Sequence, residues 1–284
     1  MKLLRVGTVG AERPALLDES GVLRDLSGLV PDIDGALLAD DGQLARIRAA
    51  AASGELPTLD AAGLRTGPPV ARIGKVVCIG LNYHDHARET GAATPEEPII
   101  FMKAPDTVVG PDDTVLVPRG SVKTDWEVEL AFVVGRRASY VDPSDAMAYV
   151  AGYVLHNDYS EREFQIERGG QWVKGKSCDT FAPMGPWLAT TDEIADPGAL
   201  DMWLTVNGES RQRGSTRDMV FDVPTLVSYI SGFMTLLPGD VVSTGTPAGV
   251  GLGQKPPVYL AAGDVVELGI TGLGTARQRI RPNA

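Results

Sequence analysis

The chain has 284 residues, 43% of them hydrophobic and 22% charged, a globular composition with room for one large domain and a smaller appendage. Its 26 basic and 37 acidic residues give a formal charge of −11, which argues against non-specific binding to nucleic acid or to an anionic membrane. No apolar stretch of spanning length is present, the start is not basic-then-apolar, and Cys78 and Cys178 lack metal-ligand spacing. We therefore expect a cytoplasmic protein with no signal peptide.

The first 35 residues read as short strands, M-K-L-L-R-V-G-T-V, P-A-L-L-D and G-V-L-R-D-L, with turns between them. A helix is expected over Gln43 to Ala52, and L-R-T-G-P-P-V at 64–70 ends a small N-terminal α+β domain, leaving 71–284 as a second domain. Lys75 to Ile79 is a buried strand that runs into G-L-N-Y-H-D-H-A-R-E-T-G, where a short helix from Asp85 to Glu89 stops at Gly91. On that helix His86 and Glu89 are neighbours. They make either an exposed pair of little consequence or a carboxylate-oriented imidazole able to act as a general base on water. The glycines and prolines around them point to a mobile loop, over residues 83–94, that closes on a substrate.

Two more strands, I-I-F-M and T-V-L-V, precede Thr124 to Val134, T-D-W-E-V-E-L-A-F-V-V. Trp126, Val128, Leu130 and Phe132 alternate with Asp125, Glu127 and Glu129, which predicts a half-buried strand with both glutamates on one side. Such a pair is either a wet strand face or a binding site for a hard divalent cation. Asp142-Pro143 opens a helix with Asp142 as cap, and the apolar run Tyr149 to Leu155 ends in H-N-D-Y-S. Asp158 therefore stands at a strand end, and with Glu127 and Glu129 makes a facial carboxylate set suited to Mg²⁺. His156 and Asn157 read as supporting residues.

Ser160-x-x-Glu163 predicts a capping box and a short helix carrying Gln165. Residues 170–177, G-Q-W-V-K-G-K-S, match the phosphate-loop pattern letter for letter. The context is wrong for a nucleotide site: polar E-R-G-G precedes it, and two prolines in S-C-D-T-F-A-P-M-G-P preclude the helix that must follow. Lys176 remains as a cation in a carboxylate-rich region. Asp222 caps a helix whose apolar face runs from Val223 through Leu226, Ile230 and Phe233 to Leu237. After a strand at Asp240 to Thr244, the loop G-T-P-A-G-V-G-L-G-Q offers backbone amides to a carboxylate, and the chain closes in a hairpin.

Taken together, G-L-N-Y-H-D-H-A-R-E, F-M-K-A-P, D-W-E-V-E-L, N-D-Y-S-E-R-E-F-Q, G-K-S-C-D-T-F-A-P-M-G-P and S-T-G-T-P-A-G-V-G resemble, in this order, the fumarylacetoacetate hydrolase family, from about residue 72 onward. The resemblance implies an α+β, mostly β fold, a mixed sheet rolled around a metal site, and a homodimer or higher homo-oligomer. It implies Mg²⁺ or Mn²⁺ held by Glu127, Glu129 and Asp158. It gives His86 and Glu89 the role of water-activating dyad, places Lys176 and Gln165 at the reacting carbonyl, and puts Thr246 in contact with substrate. Where the founding enzyme has a further carboxylate ligand, seven residues before the dyad histidine, this chain has Ile79.

Within the family the chain looks most like hydrolases of 2,4-diketo-3-deoxy sugar acids derived from rhamnonate and fuconate. The implied reaction is metal-dependent cleavage between C3 and C4 of a 2,4-diketo acid, giving pyruvate and a carboxylic acid. The alternative implied is a metal-dependent decarboxylase or keto–enol isomerase.

Overall fold

A computed structural model describes residues 1–60 and 62–283. Its frame is a nine-stranded mixed sheet. Across the sheet the strands run Leu23–Asp25, Arg13–Leu17, Lys2–Val6, Leu188–Thr190, Val150–Asn157, Val128–Val134, Val241–Ser243, Val76–Gly80 and Ile99–Lys103. Only the pairing of Val241–Ser243 with Val76–Gly80 is parallel; the other neighbours are antiparallel. A second sheet of five strands, including Asp201–Val206, Val265–Ile270 and Gly274–Pro282, packs on one face of the first. The last two of these strands form the terminal hairpin that the sequence predicts.

Strand alternation sorts the core into two clusters. Val77, Ile79, Val128, Leu130 and Phe132 face the second sheet, where they meet Leu204, Val266 and Leu268. Val76, Cys78, Ala131 and Val133 face the other way, onto Leu3, Ile33, Leu37 and Ile47. The central strand Val128–Val134 is buried along its whole length. The expected half-wet strand is therefore covered on both sides, because the N-terminal segment packs Ile33, Leu37 and the helix Asp41–Ser53 over the face that carries Glu129. Nor is 124–134 one strand. It breaks between Thr124–Asp125 and Val128–Val134, where the Glu127 and Val128 amides donate to the side chains of Asn157 (3.0 Å) and Gln212 (2.9 Å) instead of to a neighbouring strand.

Three helix expectations need correction. The helix capped by Asp222 covers only Val223–Ser231, and the chain turns away from it after Gly232; Phe233 and Leu237 are then 67% and 46% exposed, off its apolar face. Asp142-Pro143 opens a 3₁₀ segment, Pro143–Tyr149, and the Asp142 side chain makes no capping bond. Ser160 is in a short strand, Ser160–Glu161, and donates to the Asp158 carbonyl, so there is no capping box. The Glu163 amide instead meets the Glu161 carboxylate (3.1 Å), and Gln165 rides on a π-helical turn, Glu163–Glu167.

Candidate active site

At one end of the central strands a cavity of about 280 Å³ opens between the ends of Val76–Gly80 and Val128–Val134, the helix His84–Thr90, the turn Glu163–Glu167 and the loop after Ser243. Glu127 and Glu129 line it, and with Asp158, all three buried, each brings one carboxylate oxygen within 4.8 Å of the others. Cross-strand register does this. His156 pairs with Glu129 and Asn157 with Val128, and the Asp158 amide donates to the Glu127 carbonyl at 2.9 Å.

The charges at this end do not balance. Lys176 Nζ donates to Glu127 (2.6 Å) and Asp158 (2.8 Å), and Lys103 Nζ to Asp158 (2.5 Å). Arg162 bridges Glu127 (2.6 Å) and Asp125 (2.8 Å) and also donates to Gln165 Oε1 (3.0 Å). Glu129 has no cationic partner among the described residues; it accepts only from Ser243 Oγ (2.5 Å) and the Gly245 amide (3.0 Å). Burial, with Asp158 and Glu127 beside it, pushes its carboxyl well above the ordinary range. For Glu127 and Asp158 burial acts in the same upward sense, yet Lys176 with Arg162, and Lys103 with Lys176, respectively hold them below that range. A set of three buried oxygen donors with one uncompensated carboxylate fits a hard divalent cation.

The helix His84–Thr90 closes one side and ends at left-handed Gly91, as its sequence predicts. His86 Nδ1 lies 3.2 Å from Glu89 Oε2, and Glu89 Oε1 accepts the Gly249 amide at 2.9 Å. With the Nδ1 proton toward the carboxylate, Nε2 is left as the basic nitrogen. The segment is packed at its root: Tyr83 and Ala87 are buried, and the preceding Asn82 side chain donates to the Thr244 carbonyl at 2.7 Å. Thr246 lines the cavity, but its hydroxyl is occupied, donating to the Val128 carbonyl and accepting from Gln212 Nε2.

The phosphate-loop letters have another meaning here. Residues Val173–Lys176 form one helical turn, and a Cβ on Gly175 would lie 2.3 Å from the Glu161 carbonyl oxygen and 2.6 Å from Gln165. The glycine permits close packing that seats Lys176 among the carboxylates. The glycine-rich loop after Ser243 does present amides to carboxylates, but to those of the protein: Gly245 to Glu129, Gly249 to Glu89, and Gly251 and Leu252 to Asp125.

Sequence reading does not single out Arg162, Lys103, Asp125 or Trp172. Arg162 carried a usable signal, standing three residues before Gln165 on the same turn. Lys103 and Asp125 meet partners tens of residues away and carried none. His156 is fully buried and bonded to Ser243 Oγ at 2.7 Å; burial pushes its imidazole down to about 3, which suits a neutral supporting residue.

A mostly β fold that brings a buried carboxylate triad able to hold a metal ion, a His–Glu pair and a lysine together has the makings of an enzyme site. Residues 75–281 match the fumarylacetoacetate (FAA) hydrolase C-terminal family, and the chain belongs to it. A relative from Burkholderia multivorans, described no more closely than as a hydrolase, is 55% identical over 282 residues, 99% of each chain. Among solved structures, a fumarylacetoacetate hydrolase from Exiguobacterium antarcticum superposes with a TM-score of 0.86 at 35% identity, over 100% of both chains. The maleylpyruvate hydrolase of Sphingobium sp. SYK-6, solved with manganese(II) and pyruvate, does so with a TM-score of 0.82 at 29% identity, again over 100% of both. A 2-hydroxyhepta-2,4-diene-1,7-dioate isomerase from Mycobacterium marinum gives 0.76 at 31% identity, covering 100% of this chain and 99% of its own.

Proposed function

We propose that the protein is a metal-dependent hydrolase that cleaves the C3–C4 bond of a 2,4-diketo acid, R–CO–CH₂–CO–COO⁻. With one water consumed, the products are R–COO⁻, pyruvate and a proton. The observation that carries this reading is the meeting, in one cavity, of the unbalanced triad with a His–Glu pair whose free nitrogen is basic.

Glu127, Glu129 and Asp158 would hold Mg²⁺ or Mn²⁺, which when bound supplies Lewis-acid polarisation of the oxo-acid end of the substrate. His86, held in its tautomer by Glu89, takes a proton from the water that adds to C4. Glu89 is itself fixed by the Gly249 amide, so the imidazole is positioned before substrate arrives. Lys176 supplies a positive charge that does not titrate near neutrality. Burial alone would lower its pKa, but Asp158 and Glu127 raise it above the ordinary lysine value. Such a fixed cation meets the negative charge that develops on the C4 oxygen, with Gln165 as a further donor. Once the C3–C4 bond breaks, C3 regains a proton to give pyruvate.

The isomerase among the neighbours favours a second reading, proton transfer at C3 without hydrolysis. Purified protein with Mg²⁺ and acetylpyruvate separates the two: acetate and pyruvate in equal amounts support the hydrolase. Tautomerisation or CO₂ release alone overturns it. We also infer a homo-oligomer. Tyr140 and Phe233 are 83% and 67% exposed near one another, with the Tyr140 amide bonded to the Ser231 carbonyl, and such aromatic surface suits subunit contact. Light scattering tests it.

A further inference from the structure

The cavity has two chemically different ends, and the outer one carries information about the substrate. Its inner end holds the carboxylates, Lys176 and Arg162. From there the wall turns apolar. The Phe101 ring lies 4.9 Å from Lys176 Nζ, and Trp172 packs edge-on against Phe101 with ring centroids 5.3 Å apart. Trp172 also covers the end of strand Val76–Gly80, where a Cβ on Gly80 would lie 2.5 Å from its ring. Ile79, Leu81, Leu252 and Ile166, the last 49% exposed, add further apolar lining.

Among the described residues the lining contains two full cations, and both are held at the carboxylate end, away from the tail. Arg162 is bound to Asp125 and Glu127, and Lys176 to Glu127 and Asp158. The hydroxyls of the lining are also engaged, Thr90 with the His86 and Ala87 carbonyls and Thr246 as described above. A second carboxylate on the far end of the substrate would lose its hydration and meet no counter-charge, and a polyhydroxylated tail would lose hydrogen bonds that this wall does not return.

Resting on the reading of the site as a 2,4-diketo acid hydrolase, we infer that the group R beyond C4 is an uncharged apolar chain or ring. Trp172, Phe101 and Leu252 select it, against both dicarboxylic and polyhydroxylated substrates. Each methylene buried against this wall is worth about fourfold in affinity, until the cavity is filled.

Binding of compounds that cannot be hydrolysed tests the selection apart from the chemistry. With Mn²⁺ present, calorimetry is run on 2-oxohexanoate and on 2-oxoadipate, which has the same chain length with a terminal carboxylate. Tighter binding of 2-oxohexanoate, by tenfold or more, is expected, with 2-oxobutanoate weaker than 2-oxohexanoate. Equal or tighter binding of 2-oxoadipate, or no binding of either compound, overturns the inference. The variant Ile166→Arg, at an exposed position, should shift the preference toward 2-oxoadipate, and Trp172→Ala should flatten the gain with chain length. Unchanged preferences in both variants would also overturn it. Should the wild-type preference hold while no acylpyruvate is cleaved, the hydrolase reading fails and the selection stands.

Discussion

Two acid-rich clusters in this protein are built from the same residue types and behave in opposite ways. Near the N-terminus, Glu12, Asp32, Asp34 and Asp113 meet Arg5, Arg65 and Arg72, and every carboxylate has a guanidinium partner. Against the burial that would raise it, a backbone hydrogen bond and Arg65 hold Glu12 below the ordinary glutamate range. At the candidate active site, Asp125 and Glu127 are paired with Arg162 and Asp158 with Lys103 and Lys176, but Glu129 has no such partner, and its carboxyl is pushed up. Density of charge does not mark a site. Buried carboxylates that converge on one point, with the neighbouring cations too few to pair them all, do.

The largest expected contrast comes from removing that leftover charge. Glu129→Gln keeps an acceptor for Ser243 and Gly245, so the fold should survive while divalent-ion affinity collapses and turnover is lost. Glu127→Ala and Asp158→Ala should also lose turnover through loss of metal. Calorimetric metal titration and thermal unfolding check all three; unchanged affinity would mean that the ligands are misassigned.

Next in size is the dyad. General-base assistance is worth ~10²–10⁴-fold, so His86→Ala should lower kcat by that order while substrate still binds. Glu89→Gln should also act on kcat, and the double variant should be little worse than the worse single one. Multiplicative losses in steady-state kinetics would separate the two residues.

A smaller effect is expected from Gly253→Ala. The new Cβ would lie 2.3 Å from the Glu89 carboxyl carbon and must displace it. Misplacing the partner of His86 should lower kcat by up to about 10²-fold, with metal affinity unchanged.

The smallest effect lies in the other cluster. Arg65→Ala removes partly exposed pairs to Glu12 and Asp113, so a loss of stability of about 1 kcal/mol or less is expected, with kcat unaltered. Denaturant melts beside activity assays check it; a large kcat defect would join the two clusters functionally.

How far the sequence reaches follows the same division. Periodicity and spacing are local, and they placed Glu127 and Glu129 on one side of the chain and His86 beside Glu89. The principal strands were legible for the same reason, while the mostly β fold came from the family resemblance of the motifs in their order. Burial was not legible, because the cover over Ala131 and Val133, on the strand face that carries Glu129, comes from Ile33, Leu37 and Ile47, roughly a hundred residues earlier. The counter-ions were hidden likewise: Lys103 is an ordinary cation until the register of Val150–Asn157 brings Asp158 beside it, and Arg162 until the chain folds back onto Asp125 and Glu127. The helix after Asp222 was read too long because an apolar pattern continues past Gly232, where the backbone does not.

The loop that follows Ser243 holds its place by four backbone amides given to three carboxylates: Glu129, Glu89 and, twice, Asp125. Amides are the same in every residue but proline. At Leu252 the amide keeps the loop attached to Asp125 while the side chain lines the cavity. Position 252 is thus a place where selection can try one side chain after another without dismantling the anchorage of the loop, and a natural first choice for redirecting the enzyme to new substrates.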